Sequence, residues 1–311
     1  MTSPSFKHLL GLDGVSREVI VRILDTADEF AKVLDRSIPK VPTLRGVTVA
    51  NIFFEASTRT RVSFELAEKR LSADVVNFAV SGSSVSKGET LLDTVRNIEA
   101  MRIDIVVMRH YASGAPHFLK DRIKSKVVNA GDGQHEHPTQ ALLDMMTMRR
   151  HFGRVEGLKV VILGDIAHSR VARSNLYGLK TMGAEVLLCG PSTLIPYDVQ
   201  SLGVNVTTSL DEALKWCDAV NVLRLQLERQ KQGYLPSLRE YQTQFGLTRK
   251  RLEKADKPIM VLHPGPMNRG VEIDSDVADA PGSTILQQVT FGVAVRMAVL
   301  ALIAGKEEVV E

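Results

Sequence analysis

Cysteine is almost absent: the 311-residue chain has two, Cys189 and Cys217, too few for a disulfide scaffold. They sit in "LLCG" and "WCDAV", a strand end and a helix end in apolar surroundings, and read as buried reduced thiols rather than as a disulfide or a nucleophile. An excess of one charge is lacking too. Lys+Arg 39 against Asp+Glu 36 leaves a formal +3, too small and too evenly spread for nucleic acid to be the expected partner. A small anionic ligand held by a few chosen cations fits that balance better. The amino-terminal "MTSPSFKHLLGLDG" lacks the apolar core of a signal peptide, and the apolar run "VAVRMAVLALIAG" is interrupted by Arg296. No membrane association is expected, and a cytoplasmic, reducing location is. There is no low-complexity tract or short-period repeat, and the strand-turn-helix pattern "VVILGDIAHSRVARS" lacks the G-x-G-x-x-G of a dinucleotide site. No cofactor is expected.

What remains is an ordinary globular composition, 44% hydrophobic, with a strong alternation of patterns. After Ser16, a good N-cap, Val19, Ile20, Ile23, Leu24, Ala27, Phe30, Ala31 and Leu34 recur at helical spacing. From Gly46 on, β-rich runs ("GVTVANIFF", "ADVVNFAV", "IDIVVM", "KVVNA") alternate with helical segments such as "TLLDTVRNIEAM". The alternation restarts with "LKVVILG", "AEVLLC", "DAVNVL" and "PIMVLH", so two α/β halves built on parallel sheets are expected. The join falls near the helix "PTQALLDMMTMRRHF". The halves are placed at residues 1–140 and 141–289, with a last helix at about 290–311 packing back on the first.

In such sheets ligands gather beyond the carboxyl ends of the strands, and the polar clusters of this sequence follow those ends. "STRTR" follows "NIFFE", "RH" follows "IVVM", "GDGQHEHP" follows "KVVNA", "GD" follows "VVIL", "RLQ" follows "VNVL" and "HPGP" follows "MVL". Two half-sites facing each other across a cleft would explain the placement. Ser57 would cap a helix whose first turn holds Thr58, Arg59 and Thr60, where free N–H groups and the helix dipole attract an anion. Two hydroxyls and a guanidinium added there make a phosphate cradle. His135 and His137 form a His-x-His pair without a third ligand at matching spacing, so no metal is assigned. His137, before Pro138 and Gln140 at a helix start, reads as a hydrogen-bonding group. Of Arg170, Arg173, Arg224 and Arg229, the two nearest strand ends, Arg170 and Arg224, are taken as ligand-binding cations.

The ordered set "STRTR", "MRH", "HPTQ", "GD", "RLQ" and "HPGP" resembles the catalytic chain of the aspartate carbamoyltransferase family. The resemblance implies two doubly wound parallel-sheet α/β domains, the first binding carbamoyl phosphate and the second L-aspartate, which yield N-carbamoyl-L-aspartate and phosphate on the way to pyrimidines. By it, Ser57, Thr58, Arg59 and Thr60 hold the phosphate. Thr60, Arg109 and His137 reach the carbonyl oxygen, Gln140 reaches the amino group, and Arg170, Arg224 and Gln226 hold aspartate carboxylates. Gly265 and Pro266 line the site with backbone carbonyls, and Ser83 and Lys87 of "SGSSVSKGET" serve a neighbouring subunit of a homotrimer. Regulatory chains or a dihydroorotase are further partners that the resemblance leaves open. Ornithine carbamoyltransferase shares "STRTR" and "HPTQ" but typically carries an HCLP cysteine that "HPGP" lacks, and "RLQ" offers a cation where a dicarboxylate needs one. A non-catalytic anion-binding protein on the same fold is the remaining alternative; intact Arg59, Lys87, Arg109 and His137 argue against it. Gly265 stands where many relatives have leucine, and glycine there frees the loop.

Overall fold

The structure is a computed structural model that describes residues 6–79, 88–226, 235–281 and 283–306. The chain divides into two compact units, one reaching Leu143 and resuming at Thr290, the other Asp144–Val289.

The first unit contains strands β1 (Thr48–Phe53), β2 (Asp74–Ala79), β3 (Ile105–His110) and β4 (Lys126–Asp132). Its helices are α1 (Arg17–Leu34), α2 (Thr58–Arg70), α3 (Leu91–Glu99) and α4 (Ala115–Lys120), and α5 (Pro138–Phe152) carries the boundary. The strands pair in the order β2-β1-β3-β4, all parallel. Parallel strands are covered on both faces, and β3 is buried along its whole length, which is why these segments read as continuous apolar runs. Ala50, Ile52, Val106, Met108 and Val127 of the sheet pack with Val95 and Ile98 of α3 and Leu119 of α4. Each such aliphatic side chain contributes about 1.5–3 kcal/mol on burial. In α1 the predicted periodicity is realised, with Ile20, Ile23, Leu24, Ala27, Phe30 and Ala31 all buried. Ser16 occupies the N-cap position without a side-chain cap bond.

The second unit contains β5 (Lys159–Leu163), β6 (Glu185–Cys189), β7 (Asn205–Thr207), β8 (Ala219–Val222) and β9 (Met260–Leu262), paired in parallel in the order β7-β6-β5-β8-β9. Helices α6 (Arg170–Thr181), α7 (Leu210–Trp216), α8 (Leu238–Phe245), α9 (Arg249–Glu253) and α10 (Ser275–Ala278) accompany them, and α11 (Ile285–Ala304) begins here. Strand β7 is absent from the sequence reading: a three-residue edge strand, none of it fully buried, has no apolar pattern to detect. Cys189 ends β6 and Cys217 caps α7, both as buried free thiols. Burial pushes each up to about 12, which keeps them protonated and unreactive.

By length and composition α11 could cross a membrane, yet 67% of its apolar window is buried inside the protein. Its single arginine is accounted for within the first unit. The Arg296 guanidinium donates to Ser63 Oγ at 2.8 Å and lies 5.1 Å over the Phe64 ring, both on α2.

Candidate active site

In each sheet one pair of adjacent strands sends its connections in opposite directions, and the crevice at such a pair is where ligands of open α/β sheets bind. In the first unit that pair is β1 and β3, and in the second it is β5 and β8. Most chemistry-bearing residues of the sequence reading follow these four strands, and the others follow β4 and β9.

Beyond β1 the chain turns through Glu55 and Ala56 into α2. Ser57 stands at the N-cap in extended conformation (φ −159°), but its hydroxyl accepts no cap hydrogen bond, and the first turn carries no acidic residue. Thr58 and Arg59 are exposed and Thr60 is buried. A helix start, whose first N–H groups have no acceptor within the helix, with hydroxyls and a cation in the same turn and no carboxylate there, is chemically suited to a phosphate dianion.

Arg109, near the end of β3, is buried, and its Nη2 donates to Glu55 Oε1 at 2.7 Å. Its backbone carbonyl accepts from Phe54 N at 2.8 Å, so the guanidinium and the β1–α2 turn are braced together. Glu55 is a supporting group that the sequence reading missed, although "FFEASTRTR" displays it beside the anion cluster.

After β4, His137 and Gln140 are both buried, at 5% and 8% exposure, and Pro138 opens α5 where its missing N–H costs nothing. The turn before them is tightly held. Asp132 accepts from Gly114 N (2.6 Å), Asn129 Nδ2 (2.8 Å) and Glu136 N (3.1 Å), and burial of its carboxyl is outweighed by these bonds and by His135, so its pKa is lowered. Glu136, also buried, accepts from Leu12 N at 2.7 Å and from Asp13 N at 3.3 Å, anchoring the amino-terminal segment beside His137. Gly11 permits that approach, since a Cβ there would lie 2.1 Å from Glu136 Oε1. Glu136 was not singled out because its partners, Leu12 and Asp13, come from a distant part of the sequence, and Asp132 because no pattern in its own turn announces that it is the acceptor.

In the second unit Gly164, at φ +120°, ends β5 next to the buried Asp165. Asp165 Oδ1 pairs with His168 Nδ1 at 2.7 Å and accepts from His168 N at 3.2 Å. Ser169 Oγ then caps α6 by accepting from Ala172 N, and the buried Arg170 is the first helical residue. Beyond β8, Leu223 N donates to Leu163 O, continuing the pairing, and Arg224 and Gln226 follow, both half-buried.

Beyond β9, His263 Nδ1 accepts from Gly265 N at 2.8 Å while its Nε2 faces Glu272 Oε1 at 3.3 Å. Gly265 has φ +63°, the left-handed region, and a cis bond to Pro266. Glycine at this position therefore meets a backbone requirement, whereas leucine would be strained. A buried carboxylate ties the elements of this unit: Asp144 accepts from Asn175 Nδ2, Asn221 Nδ2 and Gln288 Nε2 at 2.8, 2.9 and 2.8 Å.

The structure thus gathers Ser57, Thr58, Arg59, Thr60, Arg109, His137 and Gln140 at the carboxyl edge of one sheet, and Arg170, Arg224, Gln226, Gly265 and Pro266 at that of the other. Ser83 and Lys87 lie outside the described residues.

Comparison with known proteins is decisive for the family. The family model described as "Aspartate/ornithine carbamoyltransferase, carbamoyl-P binding domain" matches residues 7–150, and the one described as "Aspartate/ornithine carbamoyltransferase, Asp/Orn binding domain" matches residues 156–303. The chain belongs to the aspartate/ornithine carbamoyltransferase family. Within that family it is 63% identical over 305 residues to the aspartate carbamoyltransferase catalytic subunit of Gemmatimonas aurantiaca, covering 98% of this chain and 96% of the relative. The corresponding subunit of Cytophaga hutchinsonii is 58% identical over 307 residues, covering 99% of this chain and all of its own. Among solved structures, Trypanosoma cruzi aspartate transcarbamoylase in complex with N-(phosphonacetyl)-L-aspartic acid superposes with a TM-score of 0.87 at 32% identity, covering 97% of each chain. The catalytic subunit of M. jannaschii aspartate transcarbamoylase gives 0.84 at 35% identity, covering 97% of this chain and 99% of that one.

Proposed function

We propose that this chain is the catalytic subunit of an aspartate carbamoyltransferase, moving the carbamoyl group of carbamoyl phosphate to the amino group of L-aspartate with release of phosphate. The observation that carries the reading is the placement of Ser57–Thr60, Arg109 and His137 beyond one sheet's carboxyl edge. Family membership and relatives named for this activity support it.

The chemistry asks for little else. The phosphate dianion rests on the start of α2, held by Ser57, Thr58, Arg59 and Thr60. Thr60, Arg109 and His137 point donors at the carbonyl oxygen, and Gln140 meets the carbamoyl amino group. The neutral amine of aspartate attacks the carbamoyl carbon, giving a tetrahedral intermediate whose oxyanion those donors stabilise. The C–O bond to phosphate then breaks, and the departing phosphate takes the amine's proton. One such donor accounts for roughly 10²–10³ in rate, and positioning of the two substrates supplies much of the rest. The Glu55 carboxylate on Arg109 fixes the guanidinium while leaving its charge partly compensated, so Arg109 orients as well as attracts. On the second unit Arg170, Arg224 and Gln226 hold the two carboxylates of aspartate, with the carbonyls of Gly265 and Pro266 towards its amino group.

In this reading the chain works in the cytoplasm as a homotrimer, with Ser83 and Lys87 completing a neighbour's site. Steady-state phosphate release from carbamoyl phosphate tests the activity: it should require aspartate and be unaffected by ornithine. Release driven by ornithine, or by neither amino acid, would overturn the assignment. The bisubstrate compound seen in the T. cruzi complex, N-(phosphonacetyl)-L-aspartic acid, should inhibit competitively with carbamoyl phosphate.

A further inference from the structure

We propose that His117, Asp132 and His135 form a binding site for a divalent transition cation of the zinc class, beside the turn that carries His137. Each residue offers one ligand atom, and these atoms lie within 4.8 Å of one another. From the sequence alone His135 had only His137 for company, and a pair is a weak site. The third ligand comes from a different element, the start of α4, and His137 is not part of the cluster.

The geometry is close to what such an ion needs. His135 Nδ1 and Asp132 Oδ2 are 3.1 Å apart, near the ~3.3 Å between ligands that sit about 2.0 Å from a tetrahedral ion. The His117 and His135 rings meet edge to face, 5.3 Å between centroids at 75°, and the His117 ligand nitrogen lies within 4.8 Å of the other two ligand atoms. Asp132 is fully buried, while the two histidines are partly exposed, which leaves a path for a hydrated ion from solvent. The donor set of two imidazoles and one carboxylate selects zinc, cobalt, nickel or copper over calcium and magnesium, which want oxygen ligands throughout.

The frame is already built. Gly114 N donates to Asp132 Oδ2 at 2.6 Å, fixing the start of α4 on the end of β4, and Gln134 N donates to Ser113 Oγ at 3.2 Å. Gly133 N donates to His110 O at 2.9 Å, and a Cβ on Gly133 would lie 2.4 Å from Ser113 Oγ, so the two loops touch closely. A cation would tie these loops together and stiffen the turn leading to His137.

The test is titration of chelator-treated protein with zinc by calorimetry, and with cobalt by its d–d absorption. The full chain should take up one ion per chain, and zinc should raise its melting temperature. His117→Ala, the milder His117→Gln and His135→Ala should each weaken binding at least tenfold and abolish the thermal shift, while the exposed His151→Ala should leave both unchanged. Circular dichroism would confirm that the variants fold. Absence of binding at millimolar zinc, or binding that survives loss of both His117 and His135, would overturn the site.

Discussion

At the scale of single residues, the buried acids divide by what their partners supply. Asp132 and Glu136 are surrounded by N–H donors and act as braces. Glu68, on α2, is fully buried with one bond, from Asn51 Nδ2 to its Oε2 at 2.8 Å, while its Oε1 is buried without a hydrogen-bond partner among the described residues. Desolvation pushes its carboxyl up from 4.5 to about 8, with the Asn51 bond opposing only part of the shift. The folded value lies above the unfolded one, so stability from this group is complete below pH 4.5 and is lost as pH rises through about 8. At about 1.4 kcal/mol per pH unit the loss amounts to a few kcal/mol. Glu68→Gln keeps an acceptor for Asn51 and removes the titration. Its melting temperature should match the parent near pH 5 and exceed it at pH 8, and an unchanged slope between pH 5 and 8 would show that Glu68 ionises without cost. None of this was legible in "SFELAEKR", where the residue looks like a solvated helix glutamate.

At the scale of elements, α2 and α6 both begin just past a strand where the sheet reverses its winding order, both behind a serine, yet the serines behave differently. Ser169 spends its hydroxyl on Ala172 N, whereas Ser57 makes no cap bond. A cap that stabilises is worth about 1 kcal/mol. Ser169→Ala should therefore lower unfolding free energy by about that amount. Ser57→Ala should leave stability almost unchanged and, if the hydroxyl binds the phosphate as proposed, raise the KM for carbamoyl phosphate. If instead Ser57→Ala destabilises and Ser169→Ala does not, the two roles are exchanged. The strands and the position of α5 were readable because buried parallel strands are apolar runs and because Pro138 marks a helix start. The clusters "STRTR", "RH", "HPTQ" and "RLQ" were readable as polar groups at strand ends, the places where ligands of such sheets bind, and the structure puts them there. The bracing acids, the His117 contact and edge strand β7 were not, since each depends on a partner far along the chain or on a stretch too short to show a pattern.

At the scale of the whole molecule, the proposed shared site makes activity a property of the assembly. Lys87 belongs to the Gly/Ser-rich stretch "SGSSVSKGET", and in a cyclic trimer any contact it makes with a neighbour is repeated around the axis. A lone lysine in such a composition is ordinarily a solvated charge, so only an experiment that separates chains can assign it. Lys87→Gln and Arg59→Ala should each be nearly inactive alone. When the two are mixed under conditions that exchange subunits, a site is whole only where a chain with intact Arg59 receives Lys87 from the other variant. Random assembly from equal amounts makes that true of roughly one site in four, so about a quarter of parental activity should return. The recovered activity should rise with the exchange itself and stay absent when the trimers are mixed without it. Verified hybrids as inactive as either parent would place Lys87 within its own chain or outside the reaction altogether.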